Sequence, residues 1–379
     1  MRGDFFMAYV GLVTPYRIDN YGTKLQAYAM QKLIEIIGFD SEIVDYYPKY
    51  DKRPHILIRK IVRKFRRKTG KVFVNENTKR RHEALEKFDE IYKKSGVIKG
   101  YGNLRSCSKN YCCFVCGSDQ IWESGNMITD YYNLNFVDNK PRISYAASFG
   151  AEKIAERYIS EYRKFLSRMD SISVREKSGL DIVRKITGKD AVQVLDPTVA
   201  VGVQVWNELC GENDFMHKGE RYIFCYFLGD NESHREMAEK LSKKTELMLV
   251  SLPHMKKYVE ADEKLSGKKL YDVTPKDFLN YIKYAEYVCT DSFHGTVFSI
   301  LFGREFFVFN RFSNSDANST NTRIRSLLTV AGLENRLTGS FEDMEKNLSS
   351  VTDYDKTNKL LNVEIEKSRK FLADALGKL

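Results

Sequence analysis

Apolar positions along this chain come in short blocks separated by amphipathic stretches. Met7–Val13, Glu42–Tyr46, Cys112–Cys116, Arg142–Ala147, Ser171–Val174 and Val192–Leu195 read as β-strands, and helical spacing fills Lys24–Ile37, Ala151–Met169 and Ser178–Ile186. Tyr111 to Cys116 is apolar throughout, which suits a central strand buried on both faces. Asp196-Pro197 then breaks the series. A second one follows: strands Tyr222–Phe227, Leu247–Ser251, Tyr287–Cys289 and Phe306–Phe309, with helices Glu232–Lys243, Pro275–Ala285 and Thr296–Phe302. Alternation of this kind predicts parallel sheets covered by helices. The length of 379 residues exceeds the roughly 250–300 at which single cores stop growing, so two domains are expected. The predicted fold is α/β, with two Rossmann-like parallel-sheet domains, 1–205 and 206–350, facing a cleft beyond the carboxyl ends of their strands. The linker falls between Pro197 and Arg221, and residues 52–100 form a basic helical insertion.

Composition narrows the class. Apolar residues make up 42% and charged residues 30%, as in a globular protein outside the membrane interior. The early apolar run Phe5–Val13 is too short to span a bilayer and has no cleavage-site pattern after it, so a first strand is expected and not a signal peptide. The seven cysteines lie mostly inside apolar strands, as reduced core residues of a cytoplasmic protein do. Cys113 and Cys116 have the spacing of a metal pair, but a strand points them to opposite faces and no second pair exists; no metal is expected.

The net charge of +10 concentrates in Lys52, Arg53, Arg59, Lys60, Arg63, Lys64, Arg66, Arg67, Lys68 and Lys71, with no acidic residue between Asp51 and Glu76. Leu57, Ile58, Ile61, Val62 and Phe65 recur among them at helical spacing. Such a basic amphipathic helix suits peripheral contact with an anionic membrane surface, or a lipid-linked pyrophosphate; it equally suits a solvated helix packed on its domain. Nucleic acid fits poorly, since Phe65 is the sole stacking aromatic.

The densest chemical signal is Tyr287 to Gly295, an apolar strand that runs through Thr290-Asp291-Ser292-Phe293 into His294-Gly295 and an apolar helix. A helix opening past a strand end offers unpaired amides to an anion, and a histidine there can move a proton on it. Four further segments accompany it: Asn20-Tyr21-Gly22, Gly117-Ser118-Asp119-Gln120-Ile121-Trp122, Ser144 to Gly150, and Ser173-Val174-Arg175-Glu176. In this order and spacing the five resemble the polysaccharide pyruvyl transferase family, from about Val10 to about Leu333. The resemblance implies a glycosyltransferase-B-type fold whose last helix (351–379) returns to the first domain. It also implies phosphoenolpyruvate as donor and a pyruvyl ketal placed across two hydroxyls of a sugar; no further cofactor is expected, and the basic helix is what suggests that the sugar rides on a lipid carrier.

Residue roles follow from that donor, which presents a phosphate and a carboxylate. Arg175 and Arg323 are the candidate cations, with Ser292, Phe293, Gly295 and Thr296 offering backbone amides. His294 either delivers the proton or holds the phosphate. Asp119 is the candidate acceptor of a sugar proton. Asn20, Tyr21, Gly22, Ser118, Gln120, Trp122 and Ser148 are candidates for the acceptor side, Trp122 by stacking on a sugar face and Asn20 with helix capping as its first job. Asp196 reads as structural, and Asp353-Tyr354-Asp355 as a cap on the last helix. Two other readings stay open: a nucleotide-sugar glycosyltransferase of the same fold, and a non-catalytic scaffold docking through residues 52–71. The acceptor sugar and the oligomeric state are not legible.

Overall fold

The computed structural model describes residues 9–47, 75–124, 130–211, 219–255, 257–312 and 321–378. The basic segment 52–71 lies outside the described residues, as does most of the polar loop 312–322.

Two all-parallel sheets organise the chain. The first holds β1 (Val10–Val13), β2 (Ser41–Ile43), β3 (Cys113–Asp119), β4 (Arg142–Ala147), β5 (Ser171–Val174) and β6 (Val192–Gln193), in the order β2-β1-β3-β4-β5-β6. The second holds β7 (Tyr222–Tyr226), β8 (Met248–Ser251), β9 (Lys268–Lys269), β10 (Tyr287–Thr290) and β11 (Glu305–Val308), in the order β11-β10-β7-β8-β9. Each order reverses once, between β1 and β3 in the first sheet and between β7 and β10 in the second. Those reversals are where open α/β sheets leave a crevice for ligands. The residues at the end of β3 and just past β10 are Asp119-Gln120 and Asp291 to His294.

The helices that matter for the site are α1 (Tyr21–Ile36), α2 (Glu76–Lys87), α3 (Glu156–Leu166), α4 (Lys177–Thr187), α5 (Glu232–Thr245), α6 (Pro275–Lys283), α7 (Phe293–Leu301), α8 (Asn321–Ala331) and α9 (Tyr354–Leu376). Two begin earlier than periodicity suggests. Asn20 caps α1 through Thr23 N, and Ser292 caps α7 through Gly295 N. Each first turn opens on one aromatic, Tyr21 or Phe293, and continues through glycine and polar residues, so the periodic pattern starts late. α8 was hidden for a similar reason: Asn321-Thr322-Arg323 reads as the end of a polar loop.

A continuous apolar cluster joins the two sheets, running from Val10 and Leu25 through Tyr21 to Phe224, Phe278 and Phe298. Tyr21 stacks on Phe278 with centroids 4.7 Å apart and donates to Val273 O at 2.9 Å. Arg81 on α2 reaches across to the carbonyls of Pro253, Leu270 and Tyr271. α9 touches both halves: Thr357 donates to Ala331 O, Ser368 accepts from Leu195 N, and Arg369 donates to Ala200 O and Val201 O. No helix among the described residues is long and apolar enough to cross a membrane.

One buried group sets an acid limit on the fold. His234 on α5 stacks against Phe309 at 4.8 Å, and burial pushes its imidazole down to about 4. The native state therefore stays unprotonated there while the unfolded chain binds a proton from about pH 6.5 downward. Stability is fully present above about pH 6.5 and is lost as pH falls towards 4, by on the order of 2–3 kcal/mol from this group. His234→Phe is expected to flatten the fall of the urea midpoint between pH 7 and 4.5. Equal slopes for both proteins would contradict the assignment.

Candidate active site

The site is assembled from loop ends that the two sheet reversals bring together. In the last residues of β3 the backbone turns sharply: Gly117 adopts φ 148°, where a Cβ would lie 1.9 Å from Tyr145 O, and Asp119 sits in the left-handed region at φ 67°. That turn throws the Asp119 carboxylate towards α1, where Thr23 Oγ1 donates to it at 3.3 Å. Past β5, Arg175 lies 97% out of solvent at its side chain. Its Nη1 donates to Asp196 Oδ2 at 2.7 Å and its Nη2 to Asp119 Oδ1 at 3.4 Å. Asp196 caps the short helix Pro197–Ala200 with the other oxygen, accepting from Thr198 N at 3.0 Å and Thr198 Oγ1 at 2.6 Å, and also accepts from Ser118 Oγ at 3.1 Å.

The second half contributes α7 and α8. His294 Nε2 approaches Asp196 Oδ1 at 3.9 Å, and Arg323 Nη1 approaches Asp119 Oδ1 at 3.8 Å. The Phe293 ring lies beneath both guanidiniums, 4.9 Å from that of Arg175 and 5.9 Å from that of Arg323. Gly22 is what lets the halves meet here. A Cβ on it would fall 2.0 Å from His294 Nδ1, so the imidazole occupies the space a side chain would take.

Charge and burial are in tension throughout. Burial pushes the Asp119 and Asp196 carboxyls up, but their cationic neighbours, Arg175 first, outweigh it and hold both below the ordinary value. Burial lowers His294, more than Asp196 and Asp119 raise it, so the resting imidazole is neutral near pH 7. Arg323 is pushed down to about 10 by burial and then by Arg175. Among the described residues, four buried polar atoms on this seam have no hydrogen-bond partner: Arg175 Nε and Glu176 Oε2, which face each other at 3.9 Å, His294 Nε2 and Arg323 Nε. Arg175 is largely committed to carboxylates, whereas the one ion pair of Arg323 among the described residues is the long contact to Asp119. Arg323 is therefore the cation most open to an incoming anion.

Several sequence expectations gather at this point: His294, Arg175, Asp119, Arg323, Phe293, Gly22 and Ser118 all meet on one seam. Others need correction. Trp122 is fully buried between Phe149 and Phe165, and its indole has no face left for a sugar. Of the four expected amides, Ser292 N donates to Thr290 Oγ1, Gly295 N to Ser292 Oγ and Thr296 N to Ser292 O. By helix geometry the amides of Phe293 and His294 remain to meet a ligand. Gly295 serves packing, since a Cβ there would lie 2.6 Å from Thr290 Oγ1. Asn20 caps α1, Tyr21 belongs to the interface between the halves, Gln120 packs on Gly150, and Ser148 Oγ donates to Glu176 Oε1 at 2.7 Å. Asp196 is the opposite case. It read as structural, yet it joins Arg175, Ser118 and His294; the signal available was an acid immediately before a proline at a strand exit, which turns its carboxylate into a cap.

Two parallel-sheet α/β domains whose strand ends meet in this way define a protein of the glycosyltransferase-B fold. The UDP-GlcNAc 2-epimerase of Neisseria meningitidis superposes with a TM-score of 0.51 at 10% identity, over 98% of this chain and 99% of the epimerase. A putative UDP-N-acetylglucosamine 2-epimerase of Listeria monocytogenes gives 0.51 at 12% identity, over 94% and 91%. Identities this low speak to the fold alone. No curated protein sequence matches the chain. The profile of the polysaccharide pyruvyl transferase family matches residues 20–314, and the chain belongs to that family.

Two substitutions probe the seam. Gly22→Ala must displace the buried His294 imidazole, so turnover should fall about 100-fold or more and stability should fall too, by the ~1–3 kcal/mol of an overpacked contact; unchanged turnover would show that the imidazole position is immaterial. Asp196→Asn leaves Arg175 buried with less compensation and should cost about 3–5 kcal/mol in urea unfolding. A cost under 1 kcal/mol would deny Asp196 its central place.

Proposed function

We propose that this protein transfers the pyruvyl group of phosphoenolpyruvate to two hydroxyls of a sugar, as a cyclic ketal. The observation that carries the reading is the set of buried nitrogens that lack a hydrogen-bond partner among the described residues, on Arg175, His294 and Arg323, next to the first amides of α7. Donors of that number, held out of water, suit a small ligand with two anionic groups. Family membership supplies the reaction class; the site supplies the grip.

The chemistry divides among the residues as follows. Arg323 and the amides of Phe293 and His294 bind the phosphate, and Arg175 Nε meets the carboxylate. Arrival of negative charge favours the protonated form of His294, which is otherwise neutral. His294 then delivers its proton to the methylene carbon, the double bond's electrons forming the new C–H bond and leaving an oxocarbenium-like centre. A sugar hydroxyl attacks that centre and gives up its proton. The C–O bond to phosphate breaks, a second hydroxyl closes the ring, and its proton leaves with phosphate. One donor and one diol thus give one ketal and one inorganic phosphate. Asp119, released from Arg323 as the anion takes its place, accepts the proton of the attacking hydroxyl. The acceptor's carrier, and membrane contact through residues 52–71, belong to the same proposal and rest on the charge of that segment alone.

The test is incubation with phosphoenolpyruvate and a panel of aryl glycosides and lipid-linked sugars, following phosphate release and the mass gain of a ketal. His294→Gln should lose about 1000-fold in turnover with donor affinity within about tenfold, whereas Arg323→Gln should chiefly raise the KM for phosphoenolpyruvate. Thermal stabilisation by nucleotide sugars and none by phosphoenolpyruvate would favour the glycosyltransferase reading instead.

A further inference from the structure

Of the seven cysteines, Cys107 and Cys112 are half-buried and the other five are buried. The two within reach of solvent differ in what their sulfurs meet. Cys107 Sγ donates to Leu104 O at 3.0 Å, an acceptor that favours the protonated thiol. Burial, with Glu42 adding to it, pushes this thiol up to about 11. Cys112 lies in the bend just before β3, next to Cys113, the first residue of that strand. Neighbouring side chains of a regular strand point to opposite faces. The bend instead brings Cys112 Sγ to 3.9 Å from Cys113 Sγ, close enough for one sulfur to donate to the other.

When Cys112 ionises, the Cys113 S–H donates to the thiolate. That bond, helped by backbone amides and by Lys140, pulls Cys112 down to about 7 against its partial burial. The same pairing, and then burial, pushes Cys113 up, so Cys113 keeps its proton. We infer that Cys112 is a site of reversible S-thiolation by low-molecular-weight disulfides, with the Cys113 thiol as the hydrogen-bond donor that activates it. The Cys112 thiolate attacks one sulfur of the disulfide; the new S–S bond forms as the old one breaks, and the departing thiolate leaves with the electron pair and takes a proton from water. Cys112 is oxidised and the departing sulfur reduced. Cys113 is badly placed to displace the adduct, because adjacent Cα atoms across a trans peptide are about 3.8 Å apart, short of the roughly 4.4–6.8 Å that a disulfide spans. The mixed disulfide therefore persists until an external thiol removes it. Cys112 stands at the opposite end of β3 from Asp119, on the order of 20 Å away at ~3.3 Å per residue, so the inference does not depend on the reaction assigned to the His294 site.

The experiment incubates the folded full-length chain with oxidised glutathione at neutral pH and maps the adduct by mass spectrometry of unreduced tryptic peptides, which separate Cys107 from Cys112. The adduct is expected on Cys112 about tenfold faster than on Cys107 or more. It should be absent from Cys112→Ser and removed by dithiothreitol. The pH dependence of the initial rate of bimane labelling at Cys112 is the second readout. Its midpoint should lie at about 7 in wild type and stay there in Cys113→Ser, which keeps an O–H donor. In Cys113→Ala, which has none, it should move up towards the ~8.5 of an ordinary thiol. First modification at Cys107, no adduct on Cys112 in the folded protein, or a wild-type midpoint near ~8.5 would overturn the site. Equal midpoints in wild type and Cys113→Ala would overturn the part given to Cys113.

Discussion

The Arg175–Asp196 ion pair is the contact on which the rest of the site depends. Both groups are almost fully withdrawn from water, where either alone would be severely penalised. Their 2.7 Å contact, together with the Ser118 and Thr198 bonds to the carboxylate, makes the burial tolerable. Because that carboxylate also faces His294, the pair fixes the electrostatic setting of a residue supplied by the other half. Apolar packing joins the two sheets, and Asp196 and Asp119 bring the charge of the first half up to His294 and Arg323 of the second.

That alignment leaves the seam short of hydrogen bonds. Among the described residues four buried atoms there lack a hydrogen-bond partner, and buried polar groups in native proteins seldom do. The strain is stored where a ligand would relieve it, while the surrounding apolar contact, from Tyr21 and Phe278 to the Arg81 latch, holds the halves in register. A neutral imidazole, an under-compensated guanidinium and two open amides form a set that a doubly anionic molecule completes.

Much of this was legible in the sequence. Apolar blocks such as Tyr222–Phe227 and Tyr287–Cys289 announce buried parallel strands, and the Ser-Phe-His-Gly turn announces the helix that carries His294. Helix starts were less legible, since Asn20 and Ser292 cap first turns in which a single aromatic is followed by glycine and polar residues. Trp122 misled because an indole in a strand-end loop looks available for a sugar, and only packing shows Phe149 and Phe165 enclosing it. Asp196 escaped because its importance lies in partners far along the chain, Arg175 and His294, whose proximity no local pattern encodes.

Calorimetry of phosphoenolpyruvate binding in buffers of different ionisation enthalpy tests the central claim most directly. A buried imidazole that is neutral at rest and becomes charged beside the bound anion predicts net uptake of close to one proton per donor at pH 7.5 in the wild type, and far less in His294→Gln. Binding without proton uptake, or the same uptake in both proteins, would contradict it.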